Sequence, residues 1–298
     1  MSDDSPAVQS FDDPFEHRFV TLGDLRFHLV ETGPRDGKPV LLLHGFPEYW
    51  WGWHHQMPQL AAAGYRVTAP DLRGYNLSDK PRGAKSYGLD ALAEDTVRLI
   101  DELGADEVLL AGHDWGGAVA WWTAVRFPER IEKMIVMNVP HPVVMRRFLL
   151  KNRAQRKKSW YMFFFQLPWL PEWALRRRNW HWATKSFNAI ALPGTFSDAD
   201  LDRYREAWRR PRAINSMLNW YRAALRQPPG RVPSVRVTVP TTVFWGMQDP
   251  ALSSDMVEPC LALCDDGQAV EFERLTHWLL HEAPEEVGQA MIDVFAAG

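Results

Sequence analysis

Two hydrophobic patterns alternate along the chain. Residues 18–20 and 25–30 are apolar or alternating runs on either side of Gly23-Asp24, which predicts an opening β-hairpin. After it come short apolar runs at 40–43, 66–69, 108–111 and 134–137, most of them separated by helical stretches such as 89–103 and 118–127. Strand alternating with helix predicts an α/β protein with a mostly parallel sheet flanked by helices. From about Pro142 to Val232 the strand signal disappears, and a helical pattern is punctuated by Pro168, Pro171, Pro193 and Pro211. Strand runs resume at 241–244 and 269–272, and a helix is expected over 284–295. The expected organisation is a core made of residues 1–141 and 232–298, interrupted by a helical cap at 142–231. No internal repeat or low-complexity tract is evident.

Composition narrows the function. The 298 residues carry 34 Lys and Arg against 37 Asp and Glu, a net charge of −3, so no global positive field is available to hold nucleic acid. A small-molecule partner is the expectation. Cys260 and Cys264, the two cysteines, lie one helical turn apart and form neither a disulfide framework nor a metal-ligand set. The first residues, MSDDSPAVQSFDDPFEH, are acidic without an apolar core, and no stretch approaches the roughly 18 apolar residues of a membrane span. A cytoplasmic protein is expected. Aromatic residues crowd into 160–182, which reads as a lined pocket or as structural core. Arg146, Arg147, Lys151, Arg153, Arg156, Lys157 and Lys158, with Arg176, Arg177 and Arg178, read as a solvated lid face, with approach to an anionic membrane surface as the alternative.

The chemistry is densest around residue 114. Gly112-His113-Asp114-Trp115-Gly116-Gly117 follows a predicted strand and precedes a helix, the context of a nucleophile elbow. Glycines allow the tight turn, and the helix N-terminus favours an anion at its centre. That centre is Asp114, where esterases carry Ser. A carboxylate is already ionised at pH 7 and can attack an sp³ carbon, leaving an alkyl ester on the protein. An Asp capping a helix in a Gly-rich turn is the plainer alternative.

An ester needs a hydrolytic base and a group to orient it. His277 follows the 269–272 strand on a loop at the carboxyl edge of the sheet, where open α/β sheets bind ligands. His54, His55, His181 and His281 sit in helical or lid contexts and read as surface or packing residues. Asp249 ends the 241–244 strand in Trp245-Gly246-Met247-Gln248-Asp249, and the alternative acid position after the preceding strand holds Asn138, which cannot carry the charge. The chain order Asp114, Asp249, His277 is nucleophile, acid, histidine. His44-Gly45-Phe46-Pro47 follows the 40–43 strand, so the backbone N–H groups of Phe46 and Trp115 are the expected oxyanion hole. A Gly-Pro turn is the plainer reading of that motif.

Together these residues resemble the epoxide hydrolase branch of the α/β-hydrolase superfamily. The likeness spans nearly the whole chain, in the ordered blocks HGFPEYWWGWHHQ, APDLRGYNLSDKP, GHDWGGAVAWW, NVPHP, WYMFFFQLPWLPE, LNWYRAAL, WGMQD and THWLLHEAP. The resemblance implies the α/β-hydrolase fold with a helical cap, and a two-step hydrolysis of a small hydrophobic epoxide by water without metal or organic cofactor. Detoxification is the role it suggests, and a homodimer stays open. Ring opening makes a basic alkoxide that needs an acid, and a phenol can donate. Tyr161 and Tyr221 match the blocks that carry ring-opening tyrosines, although each is also a plausible packing aromatic. Tyr204 sits among Asp202, Arg203, Arg205 and Glu206 and is expected to be solvated. Phe46, Trp115, Trp182 and Trp278 are expected to contact substrate. Glu48, Asp71 and Arg73 are expected to stabilise loops. Two other readings stay open. A haloalkane or haloacid dehalogenase shares the nucleophile, but Phe46 and Trp115 stand where such enzymes place Asn or Arg. A non-catalytic ligand-binding protein on the same fold needs no catalytic set.

Overall fold

The computed structural model describes residues 11–297. Eight strands form one sheet: β1 Glu16–Leu22, β2 Leu25–Thr32, β3 Lys38–Leu43, β4 Tyr65–Pro70, β5 Val108–His113, β6 Ile131–Met137, β7 Thr241–Gly246 and β8 Gly267–Phe272. Their order is β1-β2-β4-β3-β5-β6-β7-β8. The β1–β2 hairpin turns at Gly23, whose φ of +61° suits glycine, and both β1/β2 and β2/β4 are antiparallel while every later pairing is parallel. Central strands are apolar because helices cover both faces. Leu41, Leu42, Leu109, Leu110, Ile135 and Val136 are all 0% exposed, and fully burying each such side chain contributes about 1.5–3 kcal/mol.

The helices are α1 Gln56–Ala62, α2 Leu89–Glu102, α3 Trp115–Arg126, α4 Pro142–Lys151, α5 Arg153–Lys158, α6 Trp160–Phe164, α7 Leu170–Ile190, α8 Asp198–Arg209, α9 Ala213–Arg226, α10 Val257–Leu261, α11 Leu279–Glu282 and α12 Pro284–Ala296. Helix α3 begins directly after Asp114 rather than at residue 118, because Gly116 and Gly117 are part of its first turn. Helix α7 breaks at Arg177–Trp180, where Arg178, Asn179 and Trp180 have positive φ. No helix among the described residues is long and apolar enough to cross a membrane. Cys260 and Cys264 are buried and unpaired.

Helices α4 to α9 lie between β6 and β7 and dock on the strand ends through buried polar contacts. Trp208 Nε1 donates to the Pro47 carbonyl at 2.6 Å, and Trp220 Nε1 donates to that of Arg73 at 3.0 Å. Gln155 bridges to the loop after β7, donating to the Ala251 carbonyl and accepting from the Ser253 amide. Arg73 is itself held by a bidentate pair with Asp95 at 2.6 Å, and Asp71 accepts from Trp50, Asn76 and Leu77, so both stabilise loops as expected.

Two expectations fail here. Tyr204 is 0% exposed, not solvated, and its hydroxyl donates to Glu48 Oε1 at 2.7 Å. Its charged neighbours belong to the other face of α8, whose Leu201, Tyr204, Ala207 and Trp208 form a buried stripe at helical spacing. Trp182, expected to contact substrate, is 61% exposed on the outer side of α7. Its aromatic character alone carried no information about which side of the helix it occupies.

Candidate active site

Strand β5 runs into a turn at which Asp114 has φ +48° and ψ −119°. A non-glycine residue there costs on the order of 1–3 kcal/mol and persists only when its surroundings hold it. They do so through backbone packing. A Cβ on Gly116 would lie 2.1 Å from the Leu43 carbonyl oxygen, and one on Gly45 would lie 2.6 Å from Asp114 Cβ. The Asp114 amide donates to the Met137 carbonyl, and its own carbonyl accepts the first bond of α3 from Ala118. Strands β3, β5 and β6 therefore meet at the carboxylate.

The β3 loop supplies a donor. Phe46 N–H donates to Asp114 Oδ1 at 2.8 Å. His44 fixes this loop as a neutral imidazole, since Nε2 accepts from the Leu72 amide and Nδ1 therefore donates to the Gly45 carbonyl. Burial keeps its pKa below the usual histidine value. The Phe46–Pro47 peptide is cis.

His277, on the loop after β8, presents Nε2 at 3.7 Å from Asp114 Oδ2 and Nδ1 at 2.8 Å from Asp249 Oδ2. Asp249 is anchored on both oxygens, accepting from the amides of Ala251 and Leu252 on Oδ1 and from Asn138 Nδ2 on Oδ2 at 2.7 Å. Burial opposes its charge, but His277, Asn138 and Leu252 outweigh burial and hold its pKa below the ordinary range. Burial alone would lower the pKa of His277. The carboxylates of Asp249, Asp114 and Glu48 reverse this and push it up to about 9. The imidazole thus sits between the carboxyl groups of Asp114 and Asp249, an arrangement that favours its protonated form.

Tyr221 on α9 and Tyr161 on α6 cover this arrangement from the helical insertion. Their rings meet edge to face at 5.9 Å, and Tyr221 also packs at 5.0 Å against each of Phe46, Trp115 and Phe165. Burial and then the Asp114 charge raise both phenol pKa values, so both hydroxyls stay protonated. Trp278, expected to contact substrate, instead backs the histidine. It is 2% exposed, stacks on Phe187 at 4.6 Å and lies 5.1 Å from the His277 ring.

Several participants were not singled out from sequence. Asn138 was set aside as unable to carry charge, yet its amide grips Asp249 while its Oδ1 accepts from Gly246 N–H. Glu48, assigned to loop support, is buried beneath the site and accepts from Tyr204 and from His281 Nε2, with His113 Nδ1 at 3.4 Å. His113 in turn donates to the His277 carbonyl at 2.8 Å. The HGFPE block holds Glu48, but no local pattern reveals partners at residues 204 and 281.

A family model described as the alpha/beta hydrolase fold matches residues 38–284. Among curated relatives, the chain is 42% identical over 276 residues to the AB hydrolase superfamily protein YfhM of Bacillus subtilis, covering 93% of this chain and 96% of that protein. It is 36% identical over 282 residues to human Epoxide hydrolase 4, covering 92% of this chain and 77% of the relative. Among solved structures, an epoxide hydrolase from Bacillus megaterium in complex with an inhibitor superposes with a TM-score of 0.86 at 30% identity, covering 94% of this chain and 100% of the other.

Proposed function

The chain belongs to the α/β-hydrolase family, within its epoxide hydrolase branch, and from that premise we propose that it turns small hydrophobic epoxides into vicinal diols through an ester on Asp114. In the first step an Asp114 carboxylate oxygen attacks a ring carbon and the ring C–O bond breaks. The departing oxygen takes a proton from Tyr161 or Tyr221. Esterification removes one of the negative charges that hold His277 protonated, so the imidazolium gives up its proton, which returns the phenolate left by ring opening to the phenol before the second step begins. His277 Nε2 then takes a proton from water, and the resulting hydroxide attacks Asp114 Cγ. The amides of Phe46 and Trp115 receive the tetrahedral oxyanion. Collapse breaks the bond from Cγ to the ester oxygen, His277 returns the proton to that departing oxygen, the diol leaves, and the new carboxyl group passes its proton to His277 to restore the carboxylate and the imidazolium.

The observation that carries this reading is the pair of phenols, Tyr161 and Tyr221, packed edge to face above the histidine-backed Asp114. A halide leaves as a stable anion and needs neither phenol. Replacing both Tyr161 and Tyr221 with Phe is expected to cut epoxide opening on the order of 10² to 10⁴ while the fold persists. The assay is diol formation beside halide release from a 1-haloalkane. Near wild-type diol formation in the folded double variant, or wild-type halide release faster than diol formation, excludes this assignment.

The same reading divides the chain into a core of residues 1–141 and 232–298 and a cap of 142–231, whose helices supply both phenols. Two unpaired cysteines support a reducing, cytoplasmic setting. A homodimer, if formed, joins surfaces other than the strongly basic part of the cap, which would repel its own copy.

A further inference from the structure

We propose that the outer face of the helical insertion docks on an anionic lipid bilayer. Ten large apolar side chains of the insertion are each more than a third exposed, and among the described residues no large apolar side chain outside it is comparably exposed. Six of them fall between Trp160 and Trp173, where α6, its following turn and the first turn of α7 are continuous in the chain. Trp169 is 75% exposed. Tryptophans beside aliphatic side chains suit the boundary between headgroups and acyl chains, where the ring has one apolar and one wet side.

Charge selects the partner. Residues 142–190 contain eleven Lys and Arg and one acid, whereas the remainder of the chain carries 23 Lys and Arg against 36 Asp and Glu. The one acid is Glu172, which is buried and paired with Arg222 at 2.8 Å. The insertion therefore offers exposed cations, among them Arg146, Arg147, Lys151, Arg153, Arg156 and Lys157, with no exposed carboxylate between residues 142 and 190 to offset them. Two copies of this face repel, which disfavours a second chain as its occupant. A nucleic acid would satisfy the cations but leave Leu150, Leu167 and Leu170 uncovered. An anionic bilayer satisfies both sets of side chains. Helix α6 carries Trp160 and Phe163 outward and Tyr161 over the site, so docking brings the catalytic cleft beside the lipid phase.

The test is co-sedimentation of the full chain with phosphatidylcholine vesicles containing or lacking phosphatidylglycerol, with tryptophan emission recorded in parallel. Binding to the anionic vesicles with a blue shift, weakening as salt rises, is expected. Each cation near the surface is worth about 1 kcal/mol, so changing Arg153, Arg156 and Lys157 together to Gln is expected to lower partitioning by about two orders of magnitude. Trp169→Ser with Trp173→Ser is expected to remove the blue shift, while turnover of a water-soluble epoxide, measured to check folding, persists. Absence of pelleting, equal pelleting with both vesicle types, binding to heparin without binding to vesicles, or a dimer in solution that the Trp169→Ser/Trp173→Ser pair dissociates would each overturn the proposal.

Discussion

Replacing Asp249 with Asn changes one atom and isolates the second chemical step. In the wild type, Asp249 Oδ2 is an acceptor only, so His277 Nδ1 must carry a proton and Nε2 is left to act on water. Oδ1 already accepts two amides, from Ala251 at 2.7 Å and Leu252 at 2.9 Å. An Asn that keeps these bonds places its NH₂ group toward both His277 and Asn138. Asn138 cannot turn to accommodate it, because its own Oδ1 accepts from Gly246 N–H at 3.0 Å. Donor then faces donor, and His277 is forced to accept at Nδ1 and carry its proton on Nε2, the wrong tautomer for a base. Flipping the Asn instead abandons both backbone amides. The corresponding change in a serine protease triad lowers kcat about 10⁴-fold, so hydrolysis of the Asp114 ester is expected to fall by about 10³ to 10⁴, or ~4–5.5 kcal/mol in barrier. In the proposed mechanism ring opening depends on Asp114 and the tyrosines, so it is expected to stay within about tenfold of wild type. Intact-protein mass spectrometry during a single turnover is the assay, and it should show one epoxide mass added and slowly lost. Ester hydrolysis within tenfold of wild type, or a folded variant that cannot be alkylated, would refute this account of Asp249.

Two further outcomes follow from buried charge. Folding raises the pKa of His277 from 6.5 to about 9, so its contribution of at most about 3 kcal/mol is complete below pH 6.5 and disappears as pH rises through 9. Unfolding free energy measured between pH 6 and 10 should decline across this window in the wild type and more weakly in His277→Gln, and parallel profiles would contradict the assignment. Glu48→Ala leaves the Tyr204 hydroxyl and the His281 N–H buried without an acceptor, at about 1–3 kcal/mol each. Denaturant unfolding should show a loss of about 2–6 kcal/mol, and a loss below about 1 kcal/mol would mean that Glu48 does not tie the insertion to the core.

The parts of the molecule legible in the sequence are those whose cause is local. Strands β3, β5 and β6 announce themselves as apolar runs because both faces are covered, and the glycines about Asp114 mark a turn that permits no larger residue. Strand ends give the placement of Asp249 and His277. Contacts across long stretches of chain were hidden. Asn138 meets Asp249 from 111 residues away, and Glu48 meets Tyr204 from 156. Tyr204 was recoverable, since its stripe with Leu201, Ala207 and Trp208 has helical spacing, but the charges beside it dominated a residue-by-residue reading. Trp182 had no such signal, because whether a helical aromatic faces inward depends on what packs against it.

The glycines beneath Asp114 also bear on how such a protein can change over generations. Gly45, Gly112, Gly116 and Gly117 each lack room for a single methyl group, three of them against main-chain atoms that no rotamer change can move aside. A side chain at any of these three would have to push main chain aside. The surroundings of Tyr161 and Tyr221 on α6 and α9, such as Phe165, are made by side-chain packing, which tolerates exchange within the limits of volume. The reaction is thus inherited as a fixed backbone and the choice of substrate as a replaceable wall. A mutational library that spares the elbow and varies Phe165, which packs against both Tyr161 and Tyr221, is where new selectivity will be found.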